Sequence, residues 1–328
     1  MNHPMPTALK PTERADRHAL IGIIVPIFNE EDSIEGFLDA CGERIKGDFA
    51  VKYLFVNDGS SDASHDVLVR LSEQRPDVNV ISLSRNFGKE AAMTAGIDHI
   101  EADAVVIMDV DLQDPPEVIT DFVQRWREGY DVVFGVREAR TEDTFLKRTT
   151  ANAFYRVFNS LARRPIPTNV GDFRLMDMRV VRQLRRLEER SRFMKGLMNW
   201  VGYRSIGVPY DRPERHEGTS KFNFARLWNL AIDGLVSFSS LPLKVWSYVG
   251  AAIALTGFVY GSFVFFEVLI HGVEVPGYAS LMLVTLFLGG VQLLTLGIIG
   301  EYLSRIFTET KGRPIYLIDR MNGRDFDG

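Results

Sequence analysis

Apolar runs that break into acidic loops set the pattern of the first half of this chain. Residues 104–108 form a continuous hydrophobic stretch and hand over to Asp109-Val110-Asp111-Leu112-Gln113-Asp114-Pro115-Pro116. Two other runs behave alike: 20–25 leads into Pro26-Ile27-Phe28-Asn29-Glu30-Glu31, and 51–56 leads into Asn57-Asp58-Gly59-Ser60-Ser61-Asp62. A continuous apolar run such as 104–108 marks a parallel strand covered on both faces. Between them the apolar spacing becomes helical. Ser33 stands where it can cap a helix carrying Ile34, Phe37, Leu38 and Cys41, and Asp62 or Ser64 where it can cap one carrying Val67, Leu68 and Leu71. A strand over 78–83, the segment Ser84-Arg85-Asn86-Phe87-Gly88-Lys89 and a helix over 90–100 follow. Strand and helix alternate, which predicts a doubly wound α/β domain over 20–220 that binds its ligands beyond the carboxyl ends of the strands.

The pattern changes towards the far end. Residues 245–270 and 278–299 are each long enough to cross a hydrocarbon core that needs about 20 apolar residues, with only Glu267 interrupting the first. The loop between them has no Lys or Arg, whereas Lys244 precedes the pair and Arg305, Lys311, Arg313 and Arg320 follow it. The positive flanks predict a multi-pass membrane protein with the α/β domain and both termini cytoplasmic. Of two basic amphipathic segments, 221–242 before the first span is expected to lie in the headgroup plane, and 144–162 within the α/β domain reads equally as an interfacial helix or as a core-facing helix with a solvated charged side. The resulting plan is a disordered tail (1–19), the α/β domain (20–220), an interfacial helix (221–242), a two-helix transmembrane region (243–302) and a cytoplasmic C-terminal tail (303–328).

Composition narrows the chemistry. One cysteine in 328 residues excludes a disulfide framework within the chain, and Cys41 sits on the apolar side of its helix as a small core residue. A net charge of -5 without a strongly basic domain gives no sign of a nucleic-acid partner. Residues 1–18 lack the apolar core of a signal peptide. Lys89 follows Gly88 at a helix start, but the Gly-x-x-x-x-Gly-Lys-Ser/Thr spacing is missing, so an ATPase reading fails. Asp109 and Asp111, one residue apart at a strand end, can together hold a hard cation, which magnesium shares between one or two carboxylates, water and substrate phosphates. Taken alone, the same residues also read as a solvated turn closed by Pro115 and Pro116.

The ordered set of motifs, Pro26 to Glu31, Val56 to Asp62, Ser84 to Lys89 and Met108 to Pro116, resembles that of family 2 glycosyltransferases with the GT-A fold. Gly171-Asp172-Phe173-Arg174-Leu175-Met176-Asp177 and the membrane tail narrow the likeness to polyisoprenyl-phosphate glycosyltransferases, above all bactoprenol glucosyltransferases, with dolichol-phosphate mannose synthases more distant. The resemblance implies transfer of a sugar from a nucleotide-diphosphate sugar, UDP-glucose first among donors, to undecaprenyl phosphate with inversion at the anomeric carbon. It implies Mg2+ or Mn2+ on Asp109 and Asp111, and nucleoside contacts from Pro26, Glu30 and Asp58. Asp172 becomes the catalytic carboxylate, with Asp177 a second candidate from the same segment. Gln113, Arg174, Ser220 and Lys221 are expected at the diphosphate, sugar or acceptor phosphate, with Arg204 and Arg215 as further cations. His216 has no Asp or Ser partner at recognisable spacing and reads as loop. Nucleotide sugar, polyisoprenyl phosphate and membrane are the implied partners, together with a homo-oligomer through the membrane helices and a flippase. A processive synthase would carry Gln-x-x-Arg-Trp late in the domain, whereas Gln124-Arg125-Trp126 has another spacing and comes too early.

Overall fold

The computed structural model describes residues 14, 18–137, 170–190, 192, 194–211, 241–271 and 277–326. In chain order the elements are β1 (Ala19–Ile27), α1 (Ile34–Arg44), β2 (Phe49–Asn57), α2 (Ser64–Gln74), β3 (Val78–Leu83), α3 (Lys89–His99), β4 (Ala104–Ile107), α4 (Val118–Arg127) and β5 (Val132–Arg137). They continue with β6 (Val170–Asp177), α5 (Met178–Arg185), α6 (Met194–Trp200), β7 (Ser205–Tyr210), α7 (Leu241–His271), α8 (Tyr278–Thr310), β8 (Ile318–Met321) and β9 (Arg324–Asp325). The expected interfacial segment 144–162 and residues 221–240 of the second, with Ser220, Lys221, Arg215 and His216, lie outside the described residues, and Leu241 and Pro242 open α7.

The strands form one sheet in the order β7-β5-β6-β4-β1-β2-β3-β8-β9. β1 pairs in parallel with both β2 and β4, and β2 in parallel with β3, so the chain order reverses at β1 and opens a crevice at the carboxyl ends of β1 and β4. β6 enters antiparallel between β4 and β5. The apolar runs are buried on both faces, as their unbroken hydrophobicity requires. Ile21, Ile23, Val25, Tyr53 and Phe55 pack with α1, α2 and α4, whereas Ile24, Leu54 and Val56 pack with α3, α5 and α6. Each fully buried side chain of this size contributes about 1.5–3 kcal/mol. Small residues let α3 press onto β1: a Cβ on Gly96 would stand 2.4 Å from Ile24 Cγ2.

Helix starts differ from the sequence expectation. Ser33 occupies the N-cap of α1, but its hydroxyl does not cap; it donates to Glu30 Oε2 at 3.0 Å. Ala63 is the N-cap of α2, Asp62 Oδ1 accepts from the Ser64 amide at 3.1 Å, and Ser64 lies inside the helix with its Oγ accepting from the Glu30 amide. These hydroxyls lace the β1 and β2 loops together, which diverts them from capping.

Arg14 and the segment after α8 join the domain where tails were expected. Arg14 is fully buried, with Nη2 3.1 Å from Asp131 Oδ1 and 2.8 Å from Asp177 Oδ2 and Nη1 donating to the Trp126 and Tyr130 carbonyls. At the other end β8 pairs antiparallel with β3, and Asn322, in the left-handed region at φ 48°, holds the Val80 amide through its Oδ1 at 2.7 Å. Strand pairing supplies this returning segment with partners that its charged composition hides. α7 and α8 run for 31 and 33 residues. Among the described residues one stretch, Phe287–Thr310, is long and apolar enough to cross a membrane, and Tyr248–Phe263 of α7 is a shorter apolar helix. Of the two expected spans, one therefore meets the length criterion. Phe258, Phe263 and Leu293 on these helices are more than half exposed, an arrangement at odds with a core helix.

Candidate active site

Three strand ends and the start of α3 enclose a cleft of about 310 Å³, lined among others by Pro26, Glu30, Asp58, Lys89, Asp109 and Asp111. Sequence reasoning named all of these except Lys89 as binding residues, and the parallel order of β1, β2 and β4 is what gathers them.

Asp58 is buried at the end of β2, and its two oxygens accept from the Phe87 and Gly88 amides at 2.7 and 2.8 Å. Burial raises its carboxyl above the usual range despite those two bonds. Asn57, not Asp58, closes the local turn, accepting from the Ser60 amide at 3.0 Å. Asp58 thus fastens the 84–89 loop to the strand end. The loop crosses Gly59 so closely that a Cβ there would stand 2.4 Å from the Arg85 carbonyl carbon, at a φ of +65°.

Lys89 is the hub. Its Nζ lies 2.6 Å from Asp109 Oδ1, 2.8 Å from Asp109 Oδ2 and 3.2 Å from Asp172 Oδ2. Burial works against its charge, but the two carboxylates outweigh burial and hold the ammonium above its ordinary range. Asp172 is mostly buried on β6. Burial alone would raise it; Lys195, 4.0 Å away on α6, and Lys89 overcome this and hold it below the usual carboxylate range. Glu90, next along α3, accepts from the Met194 amide at 2.9 Å, and burial first, then Asp172, pushes its carboxyl up. Sequence reasoning set Lys89 aside with the ATPase motif and did not single out Lys195 or Glu90. The available signal was a lysine directly after a glycine in a loop that carries a strand end's carboxylate partners; Gly88 has φ +99°.

The remaining expected residues divide. Asp111 is exposed and accepts the Gln113 amide at 3.1 Å, while Leu112 sits at φ 53° between them. Gln113 is buried, and its Nε2 has no hydrogen-bond partner among the described residues. Arg174 is buried in the sheet beside Ile107 and Phe134 and donates to the Gly171 carbonyl at 2.8 Å; burial brings its guanidinium down to about 10. Its place is beneath Asp172 and not out in the cleft. Asp177 stands at the other end of β6, bonded to Trp126 Nε1 at 2.8 Å and to Arg14, which makes it a structural anion far from Asp172. Arg204, expected near phosphate, stacks over Tyr130 at 4.4 Å.

Among the described residues no three His, Cys, Asp or Glu side chains converge into a metal cage. Two carboxylates at the mouth of the cleft fit an ion such as magnesium or manganese, which keeps most of its shell for water and phosphate oxygens. Lys89 now places a positive charge against Asp109, the position such an ion would share.

Comparison with known proteins follows this geometry. Residues 22–185 match the model of Glycosyl transferase family 2, and residues 241–306 match that of the GtrB C-terminal hairpin. A glycosyltransferase of Synechocystis sp. is 47% identical over 307 residues, covering 93% of this chain and 96% of the relative. The SfII prophage-derived bactoprenol glucosyl transferase of Shigella flexneri is 46% identical over 302 residues, covering 92% and 97%. Among solved structures, the mannosyltransferase PcManGT of Pyrobaculum calidifontis, in complex with GDP-Man and Mn2+, is similar at 17% identity and a TM-score of 0.46, covering 94% of this chain and 90% of that one. The cleft, its doubly wound sheet and the terminal hairpin thus belong to one design, and the chain is a member of glycosyltransferase family 2.

Proposed function

We propose that the protein transfers glucose from UDP-glucose to undecaprenyl phosphate at the cytoplasmic face of a bacterial inner membrane, with inversion at the anomeric carbon. The observation that carries this reading is the bridge from Asp109 through Lys89 to Asp172 at the mouth of a nucleotide-sized cleft. It sets a diphosphate-handling carboxylate and a sugar-facing carboxylate either side of one cation. The bactoprenol relatives and the hairpin match support the lipid acceptor, and the exposed apolar faces of α7 and α8 support two membrane spans.

In this reading Pro26 and Glu30 shape the nucleoside end of the cleft, and Asp58 holds the 84–89 loop as its wall while facing the base. Asp109 and Asp111 would hold Mg2+ or Mn2+, which supplies Lewis-acid stabilisation of charge on the departing diphosphate. Lys89, released from Asp109, is within reach of the same phosphate oxygens. Gln113 Nε2 is a buried donor that a diphosphate or sugar oxygen would satisfy. Asp172 is held ionised by Lys195 and Lys89 and orients the acceptor at the anomeric carbon. A phosphate monoester loses its second proton near pH 6, so it needs little help from a base at neutrality. Ser220 and Lys221, with Arg174 supporting Asp172 from below, complete the proposed acceptor end. Direct displacement turns an α-linked donor into a β-linked lipid phosphate.

The test is Asp172→Asn. The variant is expected to bind UDP-glucose as the native protein does and to lose about 100-fold or more in kcat, with the residual product still β-linked by NMR. Native turnover, or an α-linked product, contradicts the assignment.

A further inference from the structure

A second cleft, of about 350 Å³, lies where α8 meets the catalytic domain. Its cationic lining comes from two distant stretches: Arg190 and Arg192 ahead of α6, and Lys311 and Arg313 just after α8. The two stretches are bolted together. Arg190 donates from its amide to the Glu309 carboxylate at 2.9 and 3.2 Å and from Nε to the Arg313 carbonyl at 3.0 Å. Tyr316 adds a bond to Asp98 at 2.9 Å. Among the described residues Arg192 Nη1 is buried without a hydrogen-bond partner, although its other nitrogens donate to the Glu189 and Leu187 carbonyls. A cationic N–H in that position costs free energy until an anion meets it.

We propose that this cleft binds the phosphodiester headgroup of an anionic membrane phospholipid. The inference rests on the reading of α8 as a membrane span. The stretch Phe287–Thr310 ends at the residue before Lys311 and carries Glu301, Arg305 and Glu309 in its last turns, so the four cations stand at the charged end of the span, on the side of the catalytic domain. Basic pockets beside spanning helices on the cytoplasmic side attract anionic headgroups.

Two features favour a diester over the acceptor's monoester. Glu90 lines the same cleft, and its carboxylate opposes a dianion more than a monoanion. Phe87, Glu90 and Ala91 face this cleft, whereas Gly88, Lys89 and Ala92 line the candidate active site, so the first turn of α3 stands between a phosphate held here and Asp109. Of the acidic groups nearby, Glu90 accepts the Met194 amide, Glu309 accepts the Arg190 amide, and burial followed by Glu309 pushes the Glu189 carboxyl up. Burial also lowers the Arg192 guanidinium, a strain that a bound anion relieves. A headgroup seated here would clamp the catalytic domain at a fixed height above the bilayer, with α3 as the shared wall.

The full chain is reconstituted in bilayers of phosphatidylcholine alone or of an equal mixture with phosphatidylglycerol, and lipid retained after detergent extraction is counted by native mass spectrometry. The native protein is expected to retain phosphatidylglycerol over phosphatidylcholine by about tenfold or more, and Arg192→Gln/Arg313→Gln to lose that preference. Arg44→Gln/Arg70→Gln removes equal charge elsewhere and keeps the preference. Equal retention by native and Arg192→Gln/Arg313→Gln proteins overturns the site, as does one-for-one displacement of phosphatidylglycerol by undecaprenyl phosphate, which would assign the cleft to the acceptor. Arg192→Lys/Arg313→Lys, expected to restore retention, separates lost charge from lost folding. Flotation with pure phosphatidylcholine vesicles tests the membrane reading separately: failure of the native protein to float sinks that reading, whereas flotation without selective retention sinks the headgroup site alone.

Discussion

Replacing Lys89 by Met should tighten divalent-ion binding while slowing catalysis. Lys89 Nζ contacts both oxygens of Asp109, at 2.6 and 2.8 Å, and one oxygen of Asp172 at 3.2 Å. The Lys89 and Asp109 side chains are 41% and 38% exposed, so their contact is a half-wet ion pair worth about 1 kcal/mol. Asp172 is only 17% exposed, and its contact adds on the order of another 1 kcal/mol. An ion that takes Asp109 must displace the ammonium at a cost of about 1–2 kcal/mol, which corresponds to about 5- to 30-fold in Kd. Titration with Mn2+ followed by electron paramagnetic resonance, without nucleotide, measures this directly. Lys89→Met is expected to bind Mn2+ more tightly by that factor, and Lys89→Arg to restore weaker binding. Unchanged or weaker Mn2+ binding by Lys89→Met would refute the argument that Lys89 holds the ion's position.

Other consequences follow from packing and burial. Arg14→Met removes the fully buried cation shared by Asp131 and Asp177 but leaves Arg179 paired with both, so it should cost about 1–3 kcal/mol, read as a fall in Tm of about 2–12 °C in a thermal melt; a change under about 1 °C would mean that Arg14 is dispensable. Gly59→Ala forces a Cβ to within 2.4 Å of the Arg85 carbonyl carbon at a φ of +65°, so it should destabilise by more than about 1 kcal/mol and weaken nucleotide binding, as seen by chemical denaturation and calorimetry. The Cys41 thiol, pushed up to about 12 by burial despite a lowering hydrogen bond with Tyr53, has a thiolate fraction of about one in ten thousand at pH 8. It should resist a thiol reagent in the native protein at pH 8 and react fully in denaturant; prompt native labelling would contradict its burial.

The catalytic half was legible because its chemistry sits at strand ends, where an unbroken apolar run gives way to an acidic loop. That pattern put Glu30, Asp58 and Asp109 in loops at strand ends, and the family resemblance assigned them to one nucleotide-sugar site. The Lys89 bridge was not legible, because a lysine at the start of α3 meets Asp109 after β4 only through strand order, and no periodicity encodes strand order. β6 shows a related limit. Its alternation puts Asp172 and Arg174 on one face, but two residues along a strand are about 7 Å, enough to carry Arg174 from the cleft into the sheet. Asp177, five residues on, is about 17 Å from Asp172 and serves Arg14 instead. The chain after α8 carried charges typical of a solvated tail, and only pairing with β3 on one side and β9 on the other shows that Ile318–Met321 is a strand of the sheet.

Glycosyl transfer to a polyprenyl phosphate is read out by incubating purified protein with undecaprenyl phosphate and a panel of radiolabelled UDP- and GDP-sugars, with Mg2+, Mn2+ or EDTA. Lipid-extractable label is expected from UDP-glucose, dependent on the metal and abolished by EDTA. No lipid-linked product from any donor, with folding and lipid access demonstrated, would contradict that transfer.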